Sequence, residues 1–139
     1  MGITHFDVNW LAVVLAMVAS MALGAAWYSV LSKQWLAATG KTIEDIQAGS
    51  GGSVTPFIWA AGCQLIMAYF LALLTPAIMG GMSVYNAVLI GVHMWFGFML
   101  TAMVLNHRYE GQKWSLAFIN GGYLLGVMIV QGIVLGLLG

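Results

Sequence analysis

The chain has 139 residues, 62% hydrophobic and 6% charged, with four Lys and Arg against four Asp and Glu. A soluble domain carries about a quarter charged residues, so the composition excludes a water-facing globule, and zero formal charge removes the electrostatic basis for binding nucleic acid. Cys63 is the single cysteine, which excludes an intrachain disulfide and a CxxC redox pair.

Four apolar runs, each about the 20 residues that cross a bilayer core, use up the chain. The expectation is an all-α polytopic membrane protein, a single domain built as a bundle of four transmembrane helices. Their predicted bounds are about 8–31, 56–75, 84–105 and 114–138, with one real loop over 32–55. No Lys or Arg precedes the first run, so it reads as a retained helix and not a secretory signal. Along it Asn9, Ala16, Ser20, Gly24 and Trp27 fall on one face. Ala16, Ser20 and Gly24 form a small-xxx-small series that lets a neighbouring backbone come close. Tyr28, Ser29 and Trp35 mark the membrane boundary.

In the loop, Lys33, Trp35 and Leu36 predict an interfacial extension of the first helix. Thr42 reads as an N-cap with Glu44 and Asp45 in the first turn, and Gly49 to Ser53 as a flexible linker. Thr55 and Pro56 suit the start of the second helix, and Pro76 is expected to bend or end it. Ala60, Gln64, Ala68 and Ala72 recur every fourth residue as a small face with one amide. Met79 to Met82 leaves room only for a tight turn, so the second and third helices form an antiparallel hairpin.

The third helix places Asn86, His93, Gly97 and Thr101 within a narrow arc at helical spacing. Setting Tyr and Cys aside, His93 is the one ionisable residue deep inside an apolar run. Such groups are costly in a membrane and face a bundle interior or a wet cavity. One reading is a proton relay or pore-lining donor; the other is a neutral imidazole bonded to Gln64, Asn86 or Gln131. The fourth helix separates its chemistry: Asn120, Tyr123 and Gln131 on one side, Gly122, Gly126, Gly132 and Gly136 on the other as two GxxxG spacings.

Lys33 and Lys41 follow the first helix, and Arg108 and Lys113 follow the third, so all four positive charges share one side. The positive-inside rule makes that side the cytoplasm, with both termini outside the cell's inner membrane. No nucleophilic triad, metal-ligand spacing or cofactor motif is present in the sequence. The amides Asn9, Gln64, Asn86, Asn120 and Gln131 suit interhelical bonds worth ~0.6–2 kcal/mol each.

Several short motifs then read together. They are Asn9-Trp10, Gly24 to Ser29, Trp35, Gly40, Glu44-Asp45, Met67 to Ala72, Trp95 to Phe98, Asn106, Tyr109 to Gly111, and Asn120 to Tyr123. Their order and spacing resemble the small bacterial membrane proteins of the domain of unknown function 1761 family, over nearly the whole chain. The resemblance implies a four-helix inner-membrane protein, and no activity. It draws attention to Trp27, Tyr28, Asn106, Glu110, Asn120 and Tyr123 at the cytoplasmic end, as a site or as a packing and capping cluster. His93 is not part of that pattern.

Three functions are expected, in this order. The first is a homo-oligomeric channel or carrier for a small solute or ion, lined by Asn86, His93, Thr101, Asn120, Gln131 and Gln64. The second is an accessory protein that binds partner helices through its glycine faces. The third is a membrane enzyme acting on a lipid or quinone through Glu110 and His107.

Overall fold

The computed structural model describes residues 7–46 and 54–139. Within them the elements are α1 (Trp10–Val30), α2 (Ser32–Thr39), α3 (Ile43–Ile46), α4 (Thr55–Met79), α5 (Val84–Met94), a π-helical turn (Trp95–Leu100), α6 (Thr101–Glu110) and α7 (Trp114–Leu138). α5, the π turn and α6 run on as one third span, Val84–Glu110, so four helices are long and apolar enough to cross a membrane. The protein is an all-α polytopic bundle. Consecutive spans pack side by side, and α7 closes the ring against α1. The predicted linker at 49–53 lies outside the described residues.

The core is made of small side chains because they let backbones meet. Ala12, Val13 and Ala16 of α1 pack on Ala68, Leu71 and Ala72 of α4, joined by Ile90 and Leu135. Outside this core stand large apolar groups such as Leu11, Trp59, Ile66, Phe98 and Phe118. In water such a surface is an association liability; in lipid it is the matching surface. At the other end of α1, Ala38 of α2 is buried with Leu116 and Ile119, under Trp27, Tyr28, Leu31 and Trp35. Lys113 Nζ reaches across to the Ala37 carbonyl (3.2 Å), which ties together the two stretches that hold the basic residues.

Several boundaries differ from expectation, each for a local reason. Asn9 is not on the helical face of α1 but caps it, its Oδ1 accepting from the Ala12 N–H at 3.2 Å while its Nδ2 donates to the Leu138 carbonyl at 3.1 Å. Pro76 lies inside α4, which continues to Met79 and stops at Gly80, where φ is 84°. Pro76 comes in the last turn of the helix, so its missing N–H interrupts one bond, to the Ala72 carbonyl, and does not end the span. The Thr75 hydroxyl donates to the Leu71 carbonyl (2.6 Å) in the turn before the proline. The third span does not stop near Leu105. It runs to Glu110 and closes at Gly111 (φ 70°), with Gln112 N–H on the His107 carbonyl at 3.0 Å, the paired bonds of a glycine C-cap. The polar stretch Asn106 to Glu110 is therefore helical. The hairpin turn is as the sequence implies: Ser83 caps α5 by accepting from Asn86 N–H (3.0 Å).

Thr42 and Asp45 cap α3 reciprocally: Thr42 N–H donates to Asp45 Oδ2 (3.0 Å) and Asp45 N–H to Thr42 Oγ1 (3.1 Å). The Thr42 backbone bond, helped by its hydroxyl and by Lys41, holds the Asp45 carboxyl below the usual range. A depressed carboxyl favours the capped form above the ordinary aspartate range, and that preference fades as pH falls through the lowered value. A side-chain NMR titration of Asp45 should show a midpoint below that of free aspartate, and Thr42→Ala should move it upward.

The closest helix contact joins α7 to the third span. A Cβ added at Gly136 would run into the backbone of Val84 and Ser83, and one at Gly132 would sit 3.0–3.1 Å from Val88 and Ala87 backbone atoms. Gly136→Ala should cost about 1–3 kcal/mol in reversible unfolding. Gly62→Ala, where a Cβ meets open space, should be neutral or stabilising by up to about 1 kcal/mol.

Candidate functional site: a polar seam between three spans

Where α1, α4 and α7 meet, the side chains that lipid cannot satisfy find one another. Ser20 and Gln131 are fully buried, and Gln64 nearly so. Ser20 Oγ donates to Gln64 Oε1 (2.6 Å), and Gln64 Nε2 donates to the Tyr123 hydroxyl (2.5 Å). Gln131 Nε2 gives one proton to Ser20 Oγ (3.1 Å) and one to the Gln64 backbone carbonyl (2.9 Å). Toward the basic end the seam continues as aromatic edges and a second amide. Tyr28 and Tyr123 rings meet edge on, with centroids 5.1 Å apart, and the Tyr28 hydroxyl donates to Asn120 Oδ1 at 2.7 Å. Trp27 Nε1 donates to the Ile119 carbonyl (3.0 Å) beside them.

Helical spacing explains why these groups converge. Ser20 is one turn below Ala16 and one above Gly24, on the small stripe that α4 and α7 approach. A Cβ at Gly24 would lie 2.8 Å from the Tyr123 hydroxyl, so glycine makes the room that phenol occupies. Gln64 stands one turn before buried Ala68 on the small face of α4. One polar atom is left over: Gln131 Oε1 is buried without a hydrogen-bond partner.

The expected pathway residues divide into three places. Gln64, Gln131 and Asn120 lie in the seam. Asn86 sits at the turn, its Nδ2 donating to the Gly81 carbonyl (3.0 Å). His93 and Thr101 are exposed on the outer face of the third span, so His93 bonds to none of Gln64, Asn86 or Gln131. His93 Nδ1 is instead 2.8 Å from the Leu89 carbonyl; a carbonyl only accepts, so Nδ1 carries the proton. The Thr101 hydroxyl turns back to the Gly97 carbonyl (2.9 Å). The arc that holds these residues together faces away from the bundle. Of the cluster expected at the cytoplasmic end, Trp27, Tyr28, Asn120 and Tyr123 come together. Asn106 and Glu110 are exposed and make no hydrogen bond or ion pair among the described residues, because α6 buries none of its residues.

The glycines are used within the chain. Gly122 and Gly126 of α7 face Trp27 and Leu23 of α1, while Gly132 and Gly136 face the third span. They do not form one free face opposite the amides, and no GxxxG surface is left for a partner helix. Ala16 and Ser20 are likewise buried inside the bundle. Sequence reasoning missed Ser20 as a hydrogen-bonding hub and the Trp95 indole, which donates to the Gly121 carbonyl (2.8 Å) from the start of the π turn. A hydroxyl inside a small-residue stripe was the available signal for the first; the second was marked only as the start of the Trp95 to Phe98 motif, with no partner implied.

Chemically the seam is a set of neutral donors and acceptors. It contains no carboxylate, imidazole or thiol, and so no nucleophile with its base. Among the described residues no three His, Cys, Asp or Glu gather to hold a metal. His107 and Glu110 are not joined by any hydrogen bond, and His107 Nδ1 is buried without a partner.

Four apolar spans joined by a seam of uncharged polar groups define the class: a polytopic all-α membrane protein. Within that class, the chain belongs to the family described as protein of unknown function (DUF1761), which matches it over residues 11–136 and so covers the whole seam. No curated protein and no solved structure matches it.

Gln64 and Gln131 each bond two partners through the side chain, but Gln131 also leaves an acceptor unmet and the acceptors it serves keep other bonds, so their replacement should differ in cost. Gln64→Leu takes the Tyr123 hydroxyl's partner away, while the Ser20 hydroxyl keeps the Met17 carbonyl (3.0 Å), and should cost about 1–2 kcal/mol. Gln131→Met removes the unmet acceptor at similar volume and should cost under about 1 kcal/mol. Steric-trap or mild-denaturant unfolding in micelles measures both.

Proposed function

We propose that the protein acts as a homo-oligomer in the inner membrane and that the third spans of neighbouring copies together form a narrow path for a small solute or ion. The observation that carries this reading is the exposed His93 on the lipid-facing side of the third span. Gly91, two residues away, has Met128 of α7 within 3.2 Å of where its Cβ would be, so His93 is level with the middle of the fourth span. An imidazole facing acyl chains at that depth is costly, and its Nε2 is an acceptor with nothing to accept from in hydrocarbon. A second copy removes that cost. Gly97, one turn further on, has open space at its Cβ position, and close approach of a neighbouring backbone is what small residues in spans permit.

The lining differs from the sequence expectation. His93, with Gly97 one turn on, forms the row that faces a neighbour, and Thr101 lies past it, whereas Gln64, Asn120 and Gln131 hold each copy together. The basic end, with Lys33, Lys41, Arg108 and Lys113, faces the cytoplasm by the positive-inside rule, and both termini face out.

Disulfide trapping through Gly97→Cys in a Cys63→Ser background should yield a discrete crosslinked oligomer. Liposomes should show a proton or small-solute flux that drops to background in His93→Ala and survives Gln131→Met. A monomeric protein, or flux indifferent to His93, would count against this reading.

A further inference from the structure

We propose that the outer face of the third span between Leu100 and Tyr109 holds one phospholipid with an anionic headgroup, its acyl chain along the helix and its phosphate on Arg108. Two rows of side chains at i, i+4 spacing run down this face, Leu100–Val104–Arg108 and Thr101–Leu105–Tyr109. Between them is an open groove of about 650 Å³ lined by these six residues. Rows at this spacing are the ridges between which a neighbour lies. No other span contributes to the groove; of its two hydroxyls, that of Thr101 is already turned to the Gly97 carbonyl and that of Tyr109 stands at the Arg108 end. The bed is apolar until its end.

At that end the charge is held but not neutralised. Arg108 Nη2 donates to the Gln112 carbonyl (2.5 Å), and its guanidinium lies 3.9 Å from the centroid of the Trp114 ring. These contacts fix the head and leave other N–H groups free for a phosphate, which guanidinium bonds in a planar fork. No carboxylate among the described residues pairs with Arg108. Tyr109 and Trp114, 86% and 55% exposed, stand where aromatic residues mark the headgroup level.

Charge decides the occupant. A second copy lying along this groove in the same orientation would bring its own Arg108 to the same mouth, and like charges face to face disfavour that contact. An anionic headgroup supplies the complement. The inference goes beyond the oligomer reading and does not rest on it: copies meeting at His93 and Gly97 diverge past Leu100 and leave the groove to lipid.

Native mass spectrometry of the purified protein, titrated with phosphatidylglycerol or phosphatidylcholine, tests this. The wild type should retain phosphatidylglycerol preferentially. Arg108→Gln should reduce that preference about fivefold, while Lys33→Gln, an exposed charge at the same end but off the groove, should leave it unchanged. Val104→Trp, which fills the bed without touching the charge, should lower retention as well. Melting by circular dichroism confirms that each variant is folded. Equal loss in Lys33→Gln and Arg108→Gln would assign the effect to diffuse surface charge and overturn the site. Displacement by inorganic phosphate as effective as by the lipid would assign it to a free anion. An oligomer broken by Val104→Trp with lipid retention intact would make the groove a contact between copies. Each of these last two results also overturns the proposal.

Discussion

Hydrocarbon offers no hydrogen-bond partner, and this constraint orders the rest of the molecule. Backbone groups are satisfied inside helices, so the only polar groups still needing partners are side chains. The Ser20 hydroxyl, the Gln64 and Gln131 amides and the Tyr123 phenol meet those needs among themselves, save for the one unmet acceptor, Gln131 Oε1. The three spans that supply them are thereby set in one rotation about their axes. A small error in rotation would put an amide against acyl chains. Apolar packing between helices discriminates far less, because lipid is as apolar as the core. The alanines and glycines around the seam allow the approach; the hydrogen bonds specify which approach.

Hydropathy made the four spans readable, and α7 falls at Trp114–Leu138 as the apolar run indicates. Capping chemistry was readable at Thr42, whose hydroxyl starts α3 as its spacing to Glu44 and Asp45 indicates, but the second helix was ended at Thr75 on the strength of Pro76, although Gly80 carried the stop. The third span was cut short because apolarity fades after Leu105, although Gly111 carried the better stop signal. Its π turn was not legible, since a fixed advance of 100° per residue assumes the regular helix that Trp95–Leu100 departs from. The amides were correctly seen as groups needing partners, but periodicity names a face and not the neighbour it meets. For His93 the arc was visible and its direction was not, because the rotation of the third span is fixed by Gly91, Gly132 and Gly136 across the α7 contact.

The glycines of α7 make the same point from the other side. A GxxxG spacing presents one notch whether the helix that fills it belongs to the same chain or to another. Here both notches are filled from within, by Trp27 and Leu23 on one and by the Val84 to Val88 backbone on the other. The glycines inside spans that stay open are Gly62 of α4 and Gly97 at the middle of the third span.

The spans are unequal in reach. α1 has 21 residues and the third span 27, which at 1.5 Å per residue is about 31 Å beside about 40 Å. The surplus is the polar turn Asn106 to Glu110, since apolarity ends near Leu105, so the longer rod carries its basic end past the acyl layer. That makes the molecule a gauge of its surroundings. In a thin membrane the α6 end stands clear of the lipid, and in a thick one it is drawn in until the short first span sets the limit.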